Sequence, residues 1–254
     1  VNRRAASLAL LAALALPTDA LAGACPAGAL GTARVLEVDP TAGVFVGRKS
    51  YPDTLPLTDH EVVLTFDDGP AGATTDAVLV ALAAECVQAT FFVVGEMASA
   101  RPAQLKKIVA AGHSVGTHSM THPILAKLPQ DTAQRQITDA WTTVATILNG
   151  PGGAKKVPPF FRYPGFAGTP ALDQWLANHH VAVFGADLWG SDWAITDPDK
   201  LLNTVLTRLD ETGGGILLLH DTKHATATML SRLLATMKLR GFKVVHIVPK
   251  APPA

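Results

Sequence analysis

The chain has 254 residues, 48% hydrophobic and 17% charged, which suits one large core and is short for two full domains. Lys plus Arg and Asp plus Glu both number 21, so the formal charge is zero. That balance argues against a nucleic acid or an anionic membrane surface as partner.

The first residues read as an export signal. Arg3 and Arg4 precede an apolar stretch, Ala5 to Leu16, too short to span a bilayer, and small residues at 20–22 and 22–24 suit cleavage after 22 or 24. A lipid-anchored Cys25 is the lesser alternative, because Ala22 stands where leucine is usual. No later stretch is apolar for long enough to cross a membrane, so no stable membrane insertion is expected. Cys25 and Cys86 are the two cysteines. An oxidising compartment would let them pair, while Cys86, just before the apolar run Val87 to Val94, suits simple burial equally.

Residues 25–60 form a Gly/Pro/Ala-rich N-terminal extension whose β-branched bursts, Ala33 to Asp39 and Gly43 to Gly47, predict a small hairpin or a strand-loop lid. From Glu61 to about residue 250 short apolar runs alternate with helical stretches. Strands are predicted at Glu61 to Phe66, Ala89 to Val94, His113 to Thr117, Phe160 to Arg162, Val181 to Ala186, Gly215 to Leu219 and Lys243 to Val248. Helices are predicted between them. One covers Thr75 to Glu85, another opens at Pro102 and stops at Gly112, and Ile137, Trp141, Val144 and Leu148 recur at helical spacing. Further helices cover Pro170 to His179, Pro198 to Glu211 and Ala227 to Gly241. The alternation predicts an α/β fold with a parallel sheet, closed as a barrel or open and doubly wound. A glycine-rich dinucleotide fingerprint is absent after the first strand, which speaks against a Rossmann domain.

Catalytic residue types collect where these strands end: Asp67 and Asp68, His118 and His122, Arg162, Asp187 and Asp192, then His220 and Asp221. In a βα barrel those ends converge on one face. His118 and His122 are four apart, so on a helical turn they could share a divalent metal. The spacing resembles that of HExxH metalloproteases, but Ser119 stands in place of the glutamate, so a base must come from elsewhere. Two adjacent carboxylates would repel unless cations neutralised them. A metal on Asp68 and the guanidinium of Arg162 beside Asp67 would do so, dividing the pair into ligand and base. His220 leaves a buried strand where a general acid is wanted, Asp192 could hold it in its donating form, and Trp193 and Leu218 could line a small apolar pocket.

The stretches TFDDGP (65–70), HSMTHP (118–123), FRYPG (161–165), SDW (191–193) and LLLHD (217–221) resemble, in this order, the five motifs of polysaccharide deacetylases, the NodB-homology domain of carbohydrate esterase family 4. The resemblance implies a distorted (β/α)7 barrel. It also implies Asp67 as base, Asp68, His118 and His122 as metal ligands, His220 as acid, Arg162 orienting Asp67 and Asp192 tuning His220. Trp193 and Leu218 would hold the acetyl methyl. In the family's third motif an aromatic residue supplies the backbone amide for the oxyanion. Here that place is taken by Gly165, with Phe166 next, so the aromatic wall of the groove is moved or lost. Asp187 lies further from the Asp-Trp pair than the family's earlier aspartate and is a poorer match than Asp192.

The function expected is metal-dependent release of acetate from an exported enzyme's N-acetylated glycan: peptidoglycan, a chito-oligosaccharide or a secreted polysaccharide. Two imidazoles and a carboxylate suit zinc, with cobalt or manganese possible. Three alternatives remain at this stage: an O-acetyl esterase acting on xylan-type glycans, a ferrous oxygenase with the same ligands, and a non-catalytic glycan-binding protein. With 6% aromatic residues, no extended stacking platform is evident.

Overall fold

The structure, a computed structural model, describes residues 25–150 and 159–250; the expected signal segment lies outside them. The chain runs through β1 (Thr32–Val38), β2 (Phe45–Val46), β3 (Glu61–Asp67), α1 (Ala73–Ala84), β4 (Thr90–Val93), α2 (Gly95–Ala100), α3 (Pro102–Ala110), β5 (Ser114–Thr117) and α4 (Gln130–Asn149). It continues with β6 (Phe160–Phe161), α5 (Pro170–Asn178), β7 (Ala182–Phe184), β8 (Leu188–Trp189), α6 (Pro198–Thr212), β9 (Gly215–His220), α7 (His224–Leu239) and β10 (Lys243–Pro249).

Local chemistry sets the helix limits. Prolines open α3, α5 and α6, where a missing N–H is harmless. Thr169 caps α5 by accepting from the Leu172 amide, and Asp197 caps α6 by accepting from Asp199 and Lys200. Gly213, at φ 68°, ends α6 in the left-handed conformation that favours glycine. Strands β3, β4 and β5 are uniformly buried rather than alternating, as expected of a parallel sheet covered on both faces, whereas the outer β1 alternates between exposed and half-buried residues.

All strand pairings among the described residues are parallel. Seven strands follow one another in the order β8, β9, β3, β4, β5, β6, β7, and among the described residues the ring is left open between β7 and β8. The seventh member is thus Leu188–Trp189, whereas the sequence pattern pointed to Lys243–Val248. The latter forms β10, which pairs along its length with β1 and meets β3 only at Lys243–Glu61 and Val244–Val62. The expected hairpin at 33–47 does not form either. β1 joins β10 and β2 joins β7, each covering an edge that would otherwise expose unpaired backbone groups.

One apolar cluster fills the ring: Val63, Phe92, Phe160, Phe184 and Ile216 pack with Val38, Val245 and Ile247 of the added strands. A larger cluster lies between the other face of β3, β4 and β9 and helices α1, α3, α6 and α7. Each fully buried Leu or Phe contributes about 1.5–3 kcal/mol relative to exposure. Cys25 and Cys86 form a disulfide, with Cα atoms 5.9 Å apart, tying the start of the described chain to the end of α1. A sulfur so bonded cannot also carry a lipid thioether, so the lipid-anchor alternative is set aside. No helix among the described residues is long and apolar enough to cross a membrane.

Candidate metal and catalytic site

The predicted residues meet at the ends of β3, β5, β6 and β9 and in the loop after β8. Neighbouring strand residues point to opposite faces, yet Asp67 and Asp68 both reach the cleft. Asp67 is the last residue of β3, and Asp68 takes φ 75°, turning the chain so that its carboxylate swings round beside that of Asp67. Gly69 then passes so close to Asp221 that a Cβ there would strike its carboxylate, which explains the glycine. Asp221 is fully buried and accepts from Thr75 Oγ1 at 2.5 Å; burial pushes its carboxyl up to about 7.

His118 and His122 do not lie on a helical turn. They sit in the loop after β5, where Ser119 (φ 64°) and His122 (φ 60°) are left-handed and Ser119 Oγ accepts from the His122 amide at 3.0 Å. The loop brings the two rings to 5.0 Å between centroids, so the shared site predicted from their spacing arises through a different backbone. His122 Nε2 lies 3.3 Å, and His118 Nε2 3.6 Å, from Asp68 Oδ1.

This trio fits a cation. His118 Nδ1 is 2.8 Å from the Arg162 carbonyl, which can only accept, so Nδ1 carries the proton and Nε2 presents a lone pair. Burial drives the His118 pKa down to about 3, keeping the ring neutral. Its lone pair therefore faces Asp68 Oδ1, a buried oxygen with no hydrogen-bond partner among the described residues. Two opposed acceptors with no proton between them are unfavourable, and a divalent ion among Asp68, His118 and His122 removes the conflict.

Arg162, fully buried, stands behind the trio. Its Nη1 donates to Asp67 Oδ1 at 2.7 Å and Thr65 Oγ1 at 2.8 Å, Nη2 to the Gly185 carbonyl at 2.7 Å and Nε to the Phe184 carbonyl at 3.2 Å. The guanidinium also lies 4.3 Å from the Phe92 ring centroid. Burial raises the Asp67 pKa, against the opposing pull of Arg162. Across the cleft, Asp192 Oδ1 accepts from His220 Nδ1 at 2.7 Å, while Oδ2 accepts from the His220 amide at 2.7 Å and Thr226 Oγ1 at 2.6 Å. Burial opposes protonation of His220, but the Asp192 hydrogen bond and the nearby carboxylates prevail and its pKa is raised. Its Nε2, 3.8 Å from Asp68 Oδ2, faces the cleft.

The cleft encloses about 500 Å³. Gly165, Leu218 and Trp193 line it as expected, with the Trp193 ring edge-on to His220 at 5.8 Å. The aromatic wall of the third motif is displaced rather than lost: Phe166, at φ 58°, lines the cleft next to Gly165. Sequence reasoning missed Tyr163, Trp189, Lys49 and Lys223, which also line it. A low aromatic content concealed a local concentration, and no regular spacing marks it, because Trp189 ends β8 and Trp193 lies in the loop after it. Asp187 has a separate place. Its carboxylate accepts from the Arg48 amide at 2.9 Å, Thr54 Oγ1 at 2.6 Å and the Ile216 amide at 2.8 Å, fastening the loop after β2 to β9.

Residues 55–183 match the family model for polysaccharide deacetylases. A chitooligosaccharide deacetylase of Bradyrhizobium is 30% identical over 82% of this chain and 96% of its own length. A peptidoglycan-N-acetylglucosamine deacetylase of Bacillus cereus is 30% identical over 80% of this chain and 72% of its own. Among solved structures, a peptidoglycan deacetylase of Bdellovibrio bacteriovorus superposes with a TM-score of 0.77 at 30% identity, covering 86% of this chain, which spans 59% of that structure's chain. The last two sequence motifs lie beyond the matched model region, but these relatives align over most of the chain. Matched in both ways, the chain belongs to the polysaccharide deacetylase family.

Proposed function

We propose that this protein hydrolyses the acetamide of N-acetylglucosamine units in an extracytoplasmic glycan, releasing acetate and leaving a free amine. The observation that carries this reading is the position of the Asp68, His118 and His122 trio between two oriented pairs, Arg162 with Asp67 and Asp192 with His220. The names of the relatives, chitooligosaccharide and peptidoglycan deacetylases, support the substrate class.

Asp68, His118 and His122 are the proposed ligands, and their two imidazoles and one carboxylate suit zinc, with cobalt and manganese compatible. A divalent ion held there would supply Lewis-acid charge to polarise the acetyl carbonyl and acidify water. Asp67, held by Arg162, takes the proton of the attacking water. The Gly165 amide donates to the oxyanion that develops on the acetyl group. His220, kept protonated by Asp192, gives its proton to the leaving nitrogen as the carbon–nitrogen bond breaks, so acetate and amine depart. Trp193 and Leu218 enclose the methyl group. The Cys25–Cys86 disulfide suits an oxidising, extracytoplasmic location, in agreement with the signal-like N-terminus.

Amide nitrogen leaves poorly unless protonated, whereas an alkoxide leaves more readily. His220→Ala should therefore lower kcat on N-acetyl glycans by about 100-fold or more and on O-acetyl esters by less. Small, equal losses on both would exclude His220 as acid. The direct test strips the mature protein of metal, reloads it with zinc, cobalt or manganese, and measures acetate from chito-oligosaccharides, peptidoglycan fragments and acetylated xylan, with Asp67→Asn as control. Metal-dependent release lost in the control is expected. Stoichiometric metal with no acetate from any glycan would leave a glycan-binding protein.

A further inference from the structure

Two lysines stand at the cleft with no role in the chemistry above. Lys49 comes from the loop after β2 and Lys223 lies three residues beyond His220, so segments distant in sequence place both cations at the same opening. Among the described residues the lysines found in ion pairs are Lys107 and Lys250, and neither cleft lysine has a carboxylate partner.

Lys49 is held in place. Its amide donates to the Ala186 carbonyl at 2.8 Å, and the preceding Arg48 amide to Asp187 at 2.9 Å. Gly47, at φ 107°, passes so near the chain after β7 that a Cβ there would sit 2.5 Å from the Gly185 carbonyl carbon. The ammonium rests 4.6 Å from the Trp189 ring centroid, and Arg208 holds the backbone there, donating to the Trp189 carbonyl and, at 2.9 Å, to Ser191 Oγ, with its guanidinium 5.4 Å from the same ring centroid. An exposed lysine with a fastened backbone and a ring beside its ammonium loses less freedom when it meets an anion.

The acidic groups of the cleft are otherwise engaged. Asp67 is bonded to Arg162 and Asp192 to His220, while Asp68 faces two imidazoles. With a divalent ion among the ligands, the catalytic groups no longer present a negative field to Lys49 and Lys223. A neutral glycan would leave both ammonium groups without an anionic partner. We propose that Lys49 and Lys223 select glycans that carry a carboxylate on the sugar, or sugar substituent, next to the acetylated unit. This rests on the deacetylase reading and narrows its substrate to an anionic chain. Lysine suits the task because a flexible point charge can meet carboxylates at varied positions.

The test uses the zinc-loaded mature protein and three tetrasaccharides: N-acetylglucosamine alternating with N-acetylmuramic acid bearing free lactyl carboxylates, the methyl ester of that compound, and neutral tetra-N-acetylchitotetraose. A chain alternating N-acetylglucosamine with glucuronate distinguishes a lactyl from a uronate carboxylate. The free acid should exceed its methyl ester by about tenfold in kcat/KM, chiefly through KM, with the advantage shrinking as salt rises. Lys49→Gln with Lys223→Gln should bring the acid-to-ester ratio close to one, and Lys49→Arg with Lys223→Arg should restore most of it. Equal kcat/KM for acid and ester in the unaltered protein, or a ratio untouched by the glutamine pair, would overturn the proposal. Calorimetric binding of the same compounds to the zinc-loaded Asp67→Asn protein gives that ratio without turnover. Failure of hydrolysis is thereby read apart from failure of the lysine preference.

Discussion

Replacing Arg162 by Met tests the joint between fold and site. Methionine keeps much of the volume but removes the charge and every donor. Asp67, 2% exposed, loses its counterion, while Thr65 Oγ1 and the carbonyls of Phe184 and Gly185 lose a hydrogen-bond donor. Removing one partner of a buried ion pair costs about 3–5 kcal/mol, and each buried acceptor left without a donor adds on the order of 1 kcal/mol unless water reaches it. Asp67 relieves part of this cost by taking up a proton, so a total of about 4 kcal/mol is expected. Asp67→Asn should cost less, about 2 kcal/mol, because Arg162 keeps its other acceptors. The double variant should fall short of additivity by about 1.5–3 kcal/mol, the coupling typical of one hydrogen-bonded charge pair. Urea unfolding of the four proteins, followed by tryptophan fluorescence, measures the cycle. Additive losses, or an Arg162→Met cost below about 1 kcal/mol, would refute the placement of this pair as the buried support of the site.

His113, just before β5, and His246, within β10, make an acid-sensitive joint. Ser114 Oγ donates to the Ile247 carbonyl, so it accepts from His246 Nε2 at 2.9 Å, and His113 Nδ1 accepts from the Ala89 amide at 3.1 Å. Burial holds both pKa values down at about 4, so the unfolded chain protonates first as pH falls. Stability is then intact above the ordinary histidine range and declines toward pH 4, by about 2 kcal/mol per histidine at pH 5. Chemical unfolding at pH 7.5 and 5 should show that loss shrinking by about 4 kcal/mol in the double His→Gln variant; an unchanged loss would mean that these rings are not held neutral. Reducing the Cys25–Cys86 bridge, which spans 61 positions, should lower unfolding free energy by up to about 4 kcal/mol. Equal urea midpoints with and without reductant would show that the bridge constrains nothing.

Much of the function was legible along the chain. Buried parallel strands read as short apolar runs, and helix limits read as Pro, Asp, Thr and Gly at fixed offsets, because both follow from local backbone chemistry. Asp67, Asp68, His118, His122, Arg162, Asp192 and His220 were visible as reactive residue types at successive strand ends. Where those strands lie in the ring was not. β8 has two residues, too few for periodicity to register, whereas the equally short β6 was legible as the apolar pair before Arg162, and β10 looked like a ring strand because burial alone makes a strand apolar. The partners of β1 and β2 depend on which sheet edges are open, a property of the assembled ring. The left-handed Ser119 and His122 replaced an expected helical turn, since four-residue spacing fixes a shared face only when the backbone is helical. Lys49 and Trp189, 140 positions apart, meet only because the loop after β2 is fastened to the chain after β7. The sequence by itself determined which chemistry is present; the tertiary structure decided which charges face the substrate, because Coulomb interactions depend on distance in space and not along the chain.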